Sequence, residues 1–171
     1  VGKDIYRELG TKIDKLTMRA PWNETFHAIL KELYSPEEAH VIISMPYGFT
    51  DLHEIEEATG FERSKLQKIL ADLCSKCLVI DMLVQDKFQY TPSPVVIGIF
   101  EFTMMRTDNK AKSKEWGKLF HQYFENGDIY AANSSNGEQV TIMRALPHEG
   151  AINESEYIEI LDYEKATAIV E

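Results

Sequence analysis

Residues 51–92 constrain the fold more tightly than any other part of this chain. Asp51-Leu52-His53-Glu54-Ile55-Glu56-Glu57-Ala58-Thr59-Gly60 reads as a short helix, capped by Thr50 or Asp51 and closed by a glycine that can take the positive φ of a helix end. Phe61 leads straight into a second helix over 62–76, where Leu66, Ile69, Leu70 and Leu73 fall on one face. Residues 78–84 and 88–92, rich in β-branched, aromatic and other apolar residues, flank the polar Gln85-Asp86-Lys87 and predict two strands joined by a turn.

Two helices joined by a tight glycine turn make a helix-turn-helix. With the hairpin and Pro92 behind it, the pattern resembles the broad family of winged-helix regulators over roughly residues 36–92. In that arrangement Arg63, Ser64, Lys65 and Lys68 stand at the start of a recognition helix, and Lys87 stands at the wing, where phosphate contacts are usual. These five are the candidate DNA-binding residues. Against them, charges on the outer face of any amphipathic helix look the same, and Glu54, Glu56 and Glu57 would lie near the phosphate backbone.

Upstream, Ile5, Leu9, Ile13 and Leu16 recur at the helical period, with Gly10 weakening that helix by about 1 kcal/mol relative to Ala and Pro21 limiting it. A second short helix has Asn23 as N-cap and Phe26, Ile29, Leu30 and Leu33 inward. Ser35-Pro36-Glu37-Glu38 starts a third, with the elements of a capping box and Pro at the first helical position; it ends before Pro46. Downstream, a helix is expected from Ser93 through Arg106, burying Val95, Val96, Ile99, Phe100 and Phe102. Another is expected over 113–125, with Trp116, Leu119, Phe120 and Tyr123 as its stripe. Beyond Asn126-Gly127 the chain turns irregular, with a strand expected over 139–146 and a helix from 162. The expected fold class is mainly α with a small β-hairpin wing: a winged helix-turn-helix plus flanking helices and an irregular C-terminal tail. The expected divisions are 1–34 (N-terminal amphipathic helices), 35–92 (winged helix-turn-helix), 93–126 (flanking helices) and 127–171 (extended tail or linker).

The net charge of −10 opposes non-specific attraction to nucleic acid. The acid is concentrated in 21–60 and 126–171, at −7 each, and the other segments are neutral to slightly basic, which leaves room for a local DNA-facing surface. Two cysteines exclude a disulfide framework and suit a reducing compartment, so a cytoplasmic location is expected. The longest apolar run, 95–100, falls far short of the roughly 20 residues that span a bilayer, so no membrane association is expected. The stretch from Lys3 to Arg19 carries five basic and three acidic groups, unlike a secretory signal, and the first residue is Val1 rather than Met, as in a trimmed chain or a piece.

Two further segments carry a second resemblance. Val140-Thr141-Ile142-Met143-Arg144-Ala145-Leu146-Pro147 and residues 157–171, with Leu161-Asp162-Tyr163-Glu164-Lys165-Ala166 and Ile169, look like the M-R-x-L-P segment and L-x-Y-E-x-A-x-x-I helix that precede the cysteine motifs of ferredoxin-type iron-sulfur proteins. The resemblance implies a 4Fe-4S cluster, but each such cluster takes four thiolates and this chain has two cysteines. No cofactor is therefore expected in this chain; the cluster domain would lie downstream of Glu171. The chain would then be an interaction or regulatory module of a larger electron-transfer protein. Its partners would be another protein or its own C-terminal iron-sulfur domain, with duplex DNA and a second copy of the chain as alternatives.

Cys74-Ser75-Lys76-Cys77 matches C-x-x-C, yet it falls at the end of the second helix with no second pair to complete four ligands, so structural cysteines are expected. His27, His40, His53, His121 and His148 are scattered without i, i+4 pairing. The carboxylate pairs Glu37-Glu38 and Glu56-Glu57 read as a solvated face, since neighbours on a helix point apart. With no phosphate-loop, dinucleotide or nucleophile-elbow motif, no catalytic or metal site is expected, and the chain is not expected to be an enzyme. The aromatic and Met residues of 100–105 are candidates for a partner surface if exposed, and for core if not.

Overall fold

Each of the first five helices starts on a side chain that accepts from its free amides. Asp4, Asn23, Ser35, Asp51 and Glu62 serve α1 (Ile5–Ile13), α2 (Glu24–Leu33), α3 (Pro36–Ser44), α4 (Leu52–Thr59) and α5 (Arg63–Ser75), and such caps contribute on the order of 1 kcal/mol each. A short β1 (Thr50–Asp51) precedes α4, and the hairpin of β2 (Val79–Val84) and β3 (Lys87–Pro92) follows α5. Three more helices complete the described chain: α6 (Phe100–Met105), α7 (Lys110–Glu125) and α8 (Asp128–Ala132). The computed structural model describes residues 4–106 and 110–134, which belong to one unit, Val1–Val140.

The sheet is antiparallel in the order β1-β3-β2, with Thr50 opposite Tyr90 and Leu83 opposite Phe88. Helix, short strand, helix, turn, helix and hairpin, with the third strand in the middle, is the arrangement of a winged helix-turn-helix. Gly60, at φ +68°, ends α4 and lets Phe61 turn the chain into α5. Ile42, Met45, Ile55, Leu66, Leu70, Leu73, Leu78 and Val79 are all buried, the shared core of these elements.

The flanking helices add a second apolar layer. Helix α1 lies on α2 and α3, α7 lies on α2 and α6, and Phe26 of α2 stacks on Tyr123 of α7 at 5.1 Å. Gly10 is required in α1 because the Trp22 indole lies over it: a Cβ there would come within 2.6 Å of the ring. Lys12 is buried with its Nζ donating to the Met45 carbonyl and standing 3.7 Å from the Tyr47 ring. Its charge thus sits at the negative end of α3, and burial, with Lys15 nearby, lowers its pKa.

Several expectations change. Helix α1 ends at Ile13, short of Leu16. The helix expected from Ser93 begins only at Phe100: Val96, Ile97 and Gly98 leave helical geometry, with Val96 extended and Ile97 at φ +58°, ψ +49°. Pro94 starts this irregular turn, and buried Val95, Gly98 and Ile99 anchor it while Ile97 points to solvent. Among residues 100–105 only Met105 is exposed, and Phe100 packs on Phe120 and Phe124 of α7. The strand and helix expected beyond residue 134 lie outside the described residues.

Candidate interaction surface

The five candidate DNA-binding residues are all exposed, on the first turns of α5 and at the wing. Their electrostatics are largely settled within the chain. The Glu62 carboxylate accepts from the backbone N–H groups of Ser64 and Lys65 and from the Ser64 hydroxyl, which holds its pKa down. A helix N-terminus is where a phosphate would otherwise bind; here the chain's own anion is already on those amides. Lys65 pairs with Glu37 at 2.7 Å and lies over the Phe61 ring, and Arg63 reaches Glu56 at 3.5 Å. Lys68 and Lys87 make no ion pair within 4 Å among the described residues. Arg63 and Lys87 meet across a cleft of about 450 Å³, between α5 and the hairpin, that is also lined by His53, Gln67, Phe88 and Tyr90.

The hairpin itself has an unexpected character. Met82, Leu83, Val84 and Phe88 are 43%, 59%, 41% and 52% exposed, so the wing is an apolar projection with Lys87 and Asp86 near its tip. The four apolar residues around the short polar turn are the sequence signal for this exposure. A second apolar area borders a cavity of about 570 Å³, where Tyr47, Phe49 and Ile97 are exposed.

Cys77 lies outside the helix that was expected to hold it. It occupies the left-handed position after α5 at φ +56°, where the Cys77 and Leu78 amides donate back to the Cys74 and Leu73 carbonyls, the double bond pattern of a Schellman end. Burial, Asp81 and Cys77 push the Cys74 thiol up to about 11, which suppresses the thiolate that redox chemistry and metal binding require. The two cysteines do not fit a cluster that needs four thiolates. No group of three or more His, Cys, Asp or Glu side chains among the described residues has the geometry of a metal site.

The carboxylates correct the solvated-face reading in one place. Glu38 is buried: it closes the capping box of α3 on Ser35 and pairs with Lys76 at 2.6 Å, joining α3 to the end of α5. Among the histidines, His53 and His121 are exposed and lie beside Glu57 and Glu125, His27 lies 2.9 Å from Asp4, and the His40 ring lies 5.3 Å from that of Phe61 at a tilt. His148 lies outside the described residues. No described helix is long and apolar enough to cross a membrane.

The fold defines the class: a winged helix-turn-helix with flanking helices. Comparison with protein-family models, curated proteins and solved structures finds no match to this chain.

Proposed function

We infer that this chain is a winged-helix interaction module, part of a larger cytoplasmic ferredoxin-type iron-sulfur electron-transfer protein whose cluster domain follows residue 171. It acts by binding rather than by catalysis. The observation that carries the binding half of this reading is the division of surface chemistry: Arg63, Lys65 and the first amides of α5 are engaged by Glu56, Glu37 and Glu62, while the wing offers Met82, Leu83, Val84 and Phe88 to solvent. Apolar surface left on a wing favours a protein partner. The relation to ferredoxin-type proteins rests on the residue pattern of 140–147 and 157–171.

The test is iron and acid-labile sulfide in the longer parent protein, purified without air, beside this 171-residue chain. Iron and sulfide in the parent and none in the chain is the expected result; a parent free of iron overturns the relation. A second reading, duplex-DNA binding as a transcriptional regulator, is favoured by Lys68 and Lys87, which remain available beside Arg63. It calls for a salt-sensitive affinity that Lys65→Glu and Lys68→Glu abolish. Absence of binding at low salt removes it.

A further inference from the structure

Among the described residues, the wing has an unpaired backbone edge as well as apolar side chains. Strand β2 is an outer strand of the sheet, and its partner β3 covers one side only. Gln85 and Asp86, both at positive φ (49° and 62°), form a two-residue turn between Val84 and Lys87. Such a turn closes on a hydrogen-bonded pair, and pairs alternate along an antiparallel ladder. Val84, Met82 and Ile80 therefore bond to β3, and Asp81 and Leu83 direct their N–H and C=O groups outward. Tyr90 agrees with this parity: opposite Asp81, it turns its carbonyl away from β2 to accept from the Thr50 hydroxyl of β1. Among the described residues nothing pairs with the outward groups of Asp81 and Leu83.

Edge strands are ordinarily blunted by Lys, Pro or a bulge, and β2, Val-Ile-Asp-Met-Leu-Val, has none of these. Its one charge is acidic. Building on the interaction-module reading, we propose that the free edge of β2 docks an extended segment of a partner protein. The segment adds antiparallel as a fourth strand, covers Met82 and Val84 with apolar side chains on one face, and sets a Lys or Arg opposite Asp81 on the face that Asp81 shares with Leu83. Cross-strand opposite charges are favourable, and this mode of recognition uses main-chain bonds for affinity and alternate side chains for specificity.

Area and charge both disfavour a second copy of the chain as the occupant. The four exposed wing side chains leave on the order of 400 Å² open, about half of the roughly 800 Å² per partner of a standard stable interface. Two copies would each bring a net charge of −10. A two-fold axis through Met82 would also set each Asp81 against Leu83, with no counter-charge. A short strand needs less surface than a folded partner and can supply the missing cation.

The test uses the whole 171-residue chain and an acetylated eight-residue peptide of alternating Val and Thr with one Lys, followed by amide hydrogen exchange in NMR. The Asp81 and Leu83 amides should slow, while Met82, already bonded to β3, should change little. N-methylation of the peptide's donating edge should weaken binding about tenfold. Asp81→Lys should turn the preference from the Lys peptide to its Glu counterpart, by roughly threefold in each direction. No slowing at the two amides with millimolar peptide overturns the proposal. So does protection without peptide that tracks a dimer in sedimentation, which would assign the edge to a second copy. Iron in the parent without strand capture would remove this site alone; strand capture without iron would remove the ferredoxin relation and leave the site standing.

Discussion

At the scale of single residues, Glu38 shows how one carboxylate joins two parts of the chain. Its local role was legible, because Ser35 and Glu38 lie three residues apart in a capping-box pattern. Its partner Lys76 is 38 residues away, and no local spacing announces that pair. Burial pulls the Glu38 carboxyl up, but hydrogen bonds from Lys76 and from the Ser35 backbone and hydroxyl outweigh it and leave the pKa below the usual 4.5. The Asp14 carboxyl is likewise lowered from 3.8, chiefly by the Arg19 hydrogen bond. A carboxylate lowered by folding contributes stability that is complete above its unfolded pKa and is lost as the pH falls through its folded value. Urea unfolding should therefore show stability declining below about pH 4.5. Glu38→Gln should cost about 2 kcal/mol at pH 7 and flatten that decline. An acid limb of unchanged slope would show that the pair contributes nothing.

At the scale of elements, α2 to α5 and the hairpin were legible because their caps, apolar faces and turn residues agree over short distances. Segments set by distant neighbours were not. β1 is two residues long and exists because Thr50 and Asp51 meet β3 some 40 residues on. The irregular turn at 95–99 has the composition of a helix or a strand, and only the packing of Val95 and Ile99 decides its path. Arg63, Ser64 and Lys65 lie on the first turn of α5, as the helical period places them, but the carboxylates that engage them come from α3, α4 and the α5 cap. The hairpin turn supports a prediction of its own: Asp86 stands where glycine is preferred, so Asp86→Gly should stabilise the protein by about 1 kcal/mol in denaturant unfolding. A loss instead would mean that the Asp86 side chain holds the turn.

At the scale of the whole described unit, its two ends are held together by a few specific bonds. Asn133 accepts from the Arg19 amide and donates to the Arg19 and Ile129 carbonyls, and the Tyr123 hydroxyl donates to the Pro21 carbonyl. The bonds to Arg19 and Pro21 span 114 and 102 residues and fasten the ends of α7 and α8 to the segment that leads into α2. Asn133→Ala should cost about 1 kcal/mol by thermal or urea unfolding, since it removes the side-chain partner of both the Arg19 N–H and the Arg19 carbonyl. An unchanged midpoint would show water replacing the side chain. The same clasp bears on synthesis. A ribosome adding roughly 5–20 residues per second releases α1 and α2 several seconds before α7 exists. Through that interval Phe26 and its neighbours have no lid, so a growing chain stalled between residues 35 and 110 leaves this apolar face in water.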